Sequence, residues 1–149
     1  MRIVFDANVL VAAFAARGLC AALFAACLGA HDCATSDAIL DETEAALRRK
    51  IRLPASRAAA IRGFLGEHLR RVTPAAVESD RCRDRSDLLA IGTAVAAEAD
   101  LIVSGDKDLL VLGRCRNIPI LTPRALWDRL RSTRSAPRAP RSQYGANVG

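Results

Sequence analysis

Histidine is scarce in this sequence and Cys-x-x-Cys pairs are absent. With only His31 and His68 to set beside Cys20, Cys27, Cys33, Cys82 and Cys115, no zinc-ligand spacing can be assembled. An odd cysteine count without a secretory leader reads as buried free thiols in a reducing cytoplasm. Aromatics are few as well, four Phe, one Trp and one Tyr. That leaves little for base stacking and turns any nucleic-acid contact toward phosphates. No apolar run approaches a membrane span, and Asp6 follows Met1 too soon for an export h-region, so a soluble cytoplasmic protein with no membrane contact is expected. No Gly-x-Gly-x-x-Gly follows the first apolar run, which argues against dinucleotide binding. No internal repeat is visible.

What is present suits one folded domain: 149 residues, 51% hydrophobic and 26% charged, with a core to be built from Ala, Leu, Ile and Val. Lysine occurs only at Lys50 and Lys107, so arginine carries nearly all of the positive charge behind the formal net of +6. A basic excess fits a polyanionic partner and equally fits a solubilising surface; charge alone does not choose. Residues 132–149 hold Arg134, Arg138 and Arg141, no acid and no periodicity. The expected organisation is therefore a domain over 1–131 and a disordered basic tail over 132–149.

Along the chain, the apolar run 3–5 predicts a strand, 8–16 a helix, and 19–28 a second helix stopped by Gly29. A short extended piece at 33–35 leads to Ser36, an N-cap for a helix over 36–50 whose apolar positions Ile39, Leu40, Thr43, Ala46 and Leu47 recur at helical spacing. Arg48, Arg49 and Lys50 fall in its last turn, where the helix dipole favours cations. A helix from Pro54 to near Arg71, a polar connection over 73–85 and a helix over 86–99 follow. The triplet Leu101-Ile102-Val103 reads as a buried strand, then a helix over 108–112, a strand over 118–121 and a helix over 123–131. Short strands apolar on both faces, alternating with helices, predict an α/β fold with a mainly parallel sheet covered by helices. In such sheets the ligand crevice lies beyond the carboxyl ends of the strands, which is where Asp6 and Asp106 fall.

The acids define the candidate site. Asp6 ends the first strand, where a carboxylate either caps the next helix or holds a hard cation. On the 36–50 helix, Glu42 lies about 60° from Ile39 and can reach the crevice rim. Asp41 points to solvent, and Glu44, on the other flank, is the competitor. Asp84 and Asp87 both sit where a helix dipole favours acids; Asp87 shares a flank with Ile91 and Ala94 and is the better site residue, Asp84 the better helix charge. Ser104-Gly105-Asp106 would be a mere turn in isolation, but beside Asp6 it forms the second half of a metal site. Carboxylates converging without His or Cys select Mg²⁺ or Mn²⁺, and such a cluster needs a cation to be tolerated. The chemistry this suits is phosphodiester cleavage by metal-activated water.

Ile3-Val4-Phe5-Asp6-Ala7-Asn8-Val9-Leu10, Ser36-Asp37-Ala38-Ile39-Leu40-Asp41-Glu42, Asp84-Arg85-Ser86-Asp87-Leu88-Leu89-Ala90 and Val103-Ser104-Gly105-Asp106-Lys107-Asp108-Leu109-Leu110, in this order, resemble a PIN domain. The resemblance is close to the PIN toxins of bacterial toxin–antitoxin systems. It implies a PIN-like three-layer α/β/α sandwich and a Mg²⁺- or Mn²⁺-dependent endoribonuclease. It further implies Asp6, Glu42, Asp87 and Asp106 as the metal-binding acids, with Asn8, Ser104 and Asp108 in support; of the four, Asp6, Asp87 and Asp106 are expected to bind the metal and Glu42 to complete the acidic cluster. A homodimer and a cognate antitoxin that blocks the site are implied too. Arg85 stands where relatives often carry Pro, and Ser104 rather than Thr closes the strand; neither change removes a carboxylate. Arg85 and Lys107 are the candidate contacts to substrate phosphates. Two alternatives remain open: a non-catalytic PIN-like module that binds RNA or protein, and a phosphotransfer domain on a similar sheet, whose second Asp is replaced here by Asn8.

Overall fold

The first six residues set the architecture. In β1 (Arg2–Phe5) Ile3, Val4 and Phe5 are almost wholly buried. Successive strand side chains point to opposite faces, so both faces of this strand are covered. Each of the three stabilises the fold by roughly 1.5–3 kcal/mol of apolar burial. The computed structural model describes residues 1–77 and 85–135, without the side chains of Arg85, Arg134 and Ser135.

After β1 come α1 (Ala7–Ala15), α2 (Leu19–Ala30), β2 (Asp32–Thr35), α3 (Asp37–Arg49), α4 (Ala55–His68) and β3 (Arg70–Arg71). The chain continues through α5 (Arg85–Ala97), β4 (Leu101–Val103), α6 (Lys107–Leu112), β5 (Arg114–Cys115), β6 (Ile118–Leu121) and α7 (Pro123–Ser135). The strands form one sheet in the order β3-β2-β1-β4-β6-β5, parallel except for the β5–β6 pair. The mainly parallel α/β sheet expected from the sequence is therefore observed.

Connections from β1 lead to β2 on one side, while β4 lies on the other, so the crevice between the carboxyl ends of β1 and β4 is the switch point of the sheet. Registry there is tight: Phe5 pairs with Val103, and the Asp6 N–H donates to the Val103 carbonyl at 2.9 Å.

Several boundaries differ from expectation for local reasons. Helix α2 runs through Gly29 to Ala30 and is closed by the His31 N–H donating to the Cys27 carbonyl. Helix α4 stops at His68, because Arg70 and Arg71 pair with Ala34 and Thr35 as an edge strand. Helix α7 continues to Ser135, four residues into what was expected to be tail; residues 136–149 lie outside the described part. The cysteines among the described residues are free, Cys27 and Cys33 buried, Cys20 and Cys115 only half-buried. Burial pushes the Cys33 thiol up to about 12 and Cys27 to about 11, which leaves both unreactive. Among the described residues no single helix is long and apolar enough to cross a membrane; α1 and α2 meet that test only as a pair bent by 108°.

Helix α5 is held against the 72–77 segment at one residue without a side chain. The Ala75 N–H donates to the Gly92 carbonyl at 2.9 Å, and a Cβ on Gly92 would collide with the Ala75 carbonyl oxygen. Gly92→Ala is expected to destabilise the protein by about 1–3 kcal/mol through overpacking, lowering Tm by several degrees. Gly63→Ala, at an α4 position with nothing within 4 Å, should leave Tm unchanged or raise it. Thermal melts of the two variants check this, and equal responses would contradict the packing argument.

Candidate metal centre

Three helices begin at the crevice, and each brings an acid with it. Asp6 caps α1: its Oδ1 accepts from the Ala7 N–H at 2.8 Å, and its main-chain carbonyl accepts from Val9 and Leu10. Asp106 caps α6, where its Oδ1 accepts from the Asp108 N–H at 2.8 Å. Asp87 lies in the first turn of α5 and is 1% exposed. One carboxylate oxygen from each of Asp6, Asp87 and Asp106 lies within 4.8 Å of the other two.

Ser104 ties two of these acids together. Its hydroxyl donates to Asp6 Oδ2 at 2.8 Å and accepts from the Asp106 N–H at 2.9 Å. Because the Asp106 amide can only donate, the hydroxyl hydrogen is directed at Asp6. Asn8 supports the same turn, its Oδ1 accepting from the Gly105 N–H at 3.3 Å. Asp108 is exposed and supports the site with its main-chain amide; its carboxylate is not part of the three-acid group.

Glu42 is half-buried and stands outside that group, yet close enough for its charge to act on Asp6. Its competitors are engaged elsewhere. Arg62 of α4 pairs with Asp41 at 2.8 Å and with Glu44 at 3.6 Å, drawing both away from the crevice. Lys107 is exposed beside Asp106. The Arg85 backbone begins α5, its side chain lying outside the described part, as does Asp84.

Thr93 is a positioning residue that pattern reading overlooked. Its hydroxyl donates to the Leu89 carbonyl at 2.7 Å, so the 2.8 Å bond to Ser36 must be donated by Ser36, whose oxygen in turn accepts from the Ile39 N–H. This buried chain fixes the start of α3, which carries Glu42, against α5, which carries Asp87. A Thr six residues after Asp87 on an apolar helix face was the available signal, but nothing local ties it to Ser36.

Burial raises the Asp6 carboxyl from the usual 3.8 to about 6; the Ser104 hydroxyl and the Ala7 amide oppose the rise, and the charges of Glu42 and Asp106 add to it. Among the described residues no cation pairs with Asp6, Glu42 or Asp106. An all-oxygen donor set of three closely spaced carboxylates fits a hard dication such as Mg²⁺ or Mn²⁺.

A family model described as "PIN domain" matches residues 2–108. Among solved structures the fold is similar to a chain in the "crystal structure of VapBC2 from Rickettsia felis bound to a DNA fragment from their promoter". The TM-score is 0.59 at 13% sequence identity, covering 82% of this chain and 98% of that one; the likeness is one of fold. No curated protein matches the chain.

Between pH 4 and 6 the folded chain keeps on Asp6 a proton that the unfolded chain has released, so stability falls as pH rises through that window. Above it the ionised carboxylate costs on the order of 3 kcal/mol. A dication must displace that proton below pH 6 but not above. Mn²⁺ is therefore expected to raise Tm more at pH 7.5 than at pH 5. Asp6→Asn should remove most of the Mn²⁺ response and, in EDTA at pH 7.5, raise Tm. A Mn²⁺ shift as large at pH 5 as at pH 7.5 would count against proton–metal competition at Asp6.

Proposed function

The chain belongs to the PIN-domain family, and on that premise we propose that it is a divalent-metal-dependent endoribonuclease acting as the toxin of a toxin–antitoxin pair. The observation that carries this reading is the meeting of Asp6, Asp87 and Asp106, from three separate elements, within 4.8 Å at the switch point of the sheet. These three would hold Mg²⁺ or Mn²⁺. When bound, the metal supplies the positive charge that stabilises the transition state and makes water acidic enough to act as nucleophile.

The protein's own groups do the rest. Ser104 holds Asp6 through Oδ2 and orients it, while Asn8 fixes the Gly105 turn that delivers Asp106. Glu42, half-buried outside the triad, is the carboxylate left to accept the proton as the water oxygen bonds to phosphorus and the ester P–O bond breaks. Lys107 at the rim, with Arg85 at the head of α5, positions backbone phosphates. Asn8 stands where a phosphotransfer enzyme of this sheet type would carry a second Asp, and its engagement with Gly105 favours hydrolysis by water.

The antitoxin partner, the homodimer and a cytoplasmic setting belong to the same proposal; they rest on the resemblance to PIN toxins and on the fold shared with the Rickettsia felis VapBC2 chain.

Cleavage of a panel of labelled cellular RNAs tests the reading. Activity should require Mg²⁺ or Mn²⁺, vanish in EDTA, and fall by about 100-fold or more in Asp6→Asn and Asp106→Asn; Glu42→Gln should lose about 10- to 100-fold. Circular dichroism confirms that each variant is folded. Cleavage that persists undiminished in Asp6→Asn, or in EDTA, would falsify the mechanism.

A further inference from the structure

Positive charge on the described surface is concentrated at one place that the acidic site does not use. Between Glu44 and Glu67 the sequence has no acid and six cations, of which only Arg62 is paired among the described residues. The others, Arg48, Arg49, Lys50, Arg52 and Arg57, are all exposed. They gather at the turn between α3 and α4, where Arg48, Arg49, Leu53, Ala45 and Ala55 border an open cleft of about 460 Å³.

The fold gives this turn a defined relation to the site. Helix α3 leaves the carboxyl end of β2 at Ser36, and α4 returns the chain to the same end, where Arg70 pairs with Ala34. Both helices thus have their sheet-side ends at the edge where the acids lie, and the basic turn is the far tip of the hairpin.

Along α3, Glu42 and Arg49 are seven residues apart, which puts them within about 20° of each other around the helix and about 10 Å apart along it. Ala45 and Ala46 lie between them, half-buried and small, so no long side chain from these positions blocks the path. A spacing of about 10 Å amounts to about three nucleotide steps at the stacked rise of about 3.4 Å per nucleotide, and fewer where the strand is extended.

We infer that the tip of the α3–α4 hairpin is a second RNA-binding surface, where Arg48, Arg49, Lys50, Arg52 and Arg57 bind the backbone phosphates of a strand whose neighbouring segment occupies the acidic site. The inference rests on the nuclease reading for its choice of polyanion. It also implies that short oligonucleotides, unable to span both places, bind more weakly than long ones.

The test uses the full chain in EDTA, with a fluorescein-labelled poly-uridine of about 20 nucleotides followed by anisotropy between about 50 and 200 mM salt. The tip variant combines Arg48→Gln, Arg49→Gln, Lys50→Gln, Arg52→Asn and Arg57→Gln; Asn at 52 suits the left-handed backbone there (φ 65°). Its affinity should fall at least about tenfold, and the slope of log affinity against log salt should become shallower by about 0.7 for each phosphate no longer neutralised. A control variant neutralises the exposed Arg114 of β5, Arg116 just after it and Arg129 of α7, and should lose less than about threefold.

Unchanged affinity in the tip variant overturns the inference, as does an equal loss per charge in the control. Equally tight, tip-dependent binding of a poly-glutamate peptide overturns it in favour of an acidic protein segment. Because EDTA separates binding from hydrolysis, tip-dependent binding by a protein that cleaves nothing would sink the nuclease reading instead.

Discussion

Mutual repulsion among carboxylates at the β1–β4 crevice is the constraint around which the rest of the molecule is organised. Two unit charges within 4.8 Å repel by about 3 kcal/mol at an effective dielectric constant near 20. Three such pairs within one small volume are a large load for a domain of this size. The fold answers with helix geometry: α1, α5 and α6 all start at the crevice, so the positive end of each helix dipole faces its own acid. Each such interaction contributes about 0.3–1 kcal/mol, which falls short of the repulsion. Burial adds to the load: it is the main cause of the rise of the Asp6 carboxyl to about 6, with the charges of Glu42 and Asp106 contributing the rest, and a dication would offset both.

Rigidity is what makes the repulsion useful. The Asp6 amide is bonded to β4, the Ser104 amide to the Leu121 carbonyl of β6, and the Ser104 hydroxyl to both Asp6 and Asp106. Swinging apart would relieve the acids but would break several of these bonds, each worth about 0.5–1.5 kcal/mol or more with a charged partner. Central strands buried on both faces supply the frame that withstands this strain, so stability made in the core is used to hold anions together at the edge.

How much of this could be read beforehand follows the range of each interaction. The strands β1 and β4 were legible because Ile3-Val4-Phe5 and Leu101-Ile102-Val103 are continuous apolar runs, and with them came the placement of Asp6 and Asp106. The two-residue strands β3 and β5 were not, since Arg70–Arg71 and Arg114–Cys115 have no pattern of their own and owe their conformation to a neighbour. On α3 the helical period favoured Glu42 over its neighbours, but Arg62, which engages Asp41 and Glu44, lies on another helix. The Ser36–Thr93 bond joins positions 57 residues apart, a distance at which local spacing carries no information.

The distribution of charge also bears on how an anionic strand could reach an anionic pocket. A phosphate approaching Asp6, Asp87 and Asp106 alone meets repulsion that salt weakens only outside a Debye length of about 8–10 Å. Opposed to this, the net charge of +6 is not spread evenly: a further helix, α3, carries an acid near the pocket in its second turn and cations in its last. The cations in the last turn of α3 lie about 10 Å along the helix from Glu42, at the limit of that screening length, near enough to attract a polyanion at the same helix yet too far to pair with Glu42. Moving those arginines to the crevice itself would satisfy the acids internally and remove the reason for a dication to bind. Segregation of the two signs of charge along α3 is therefore what lets Glu42 stand without a cation partner among the described residues, although the same helix ends in Arg48 and Arg49.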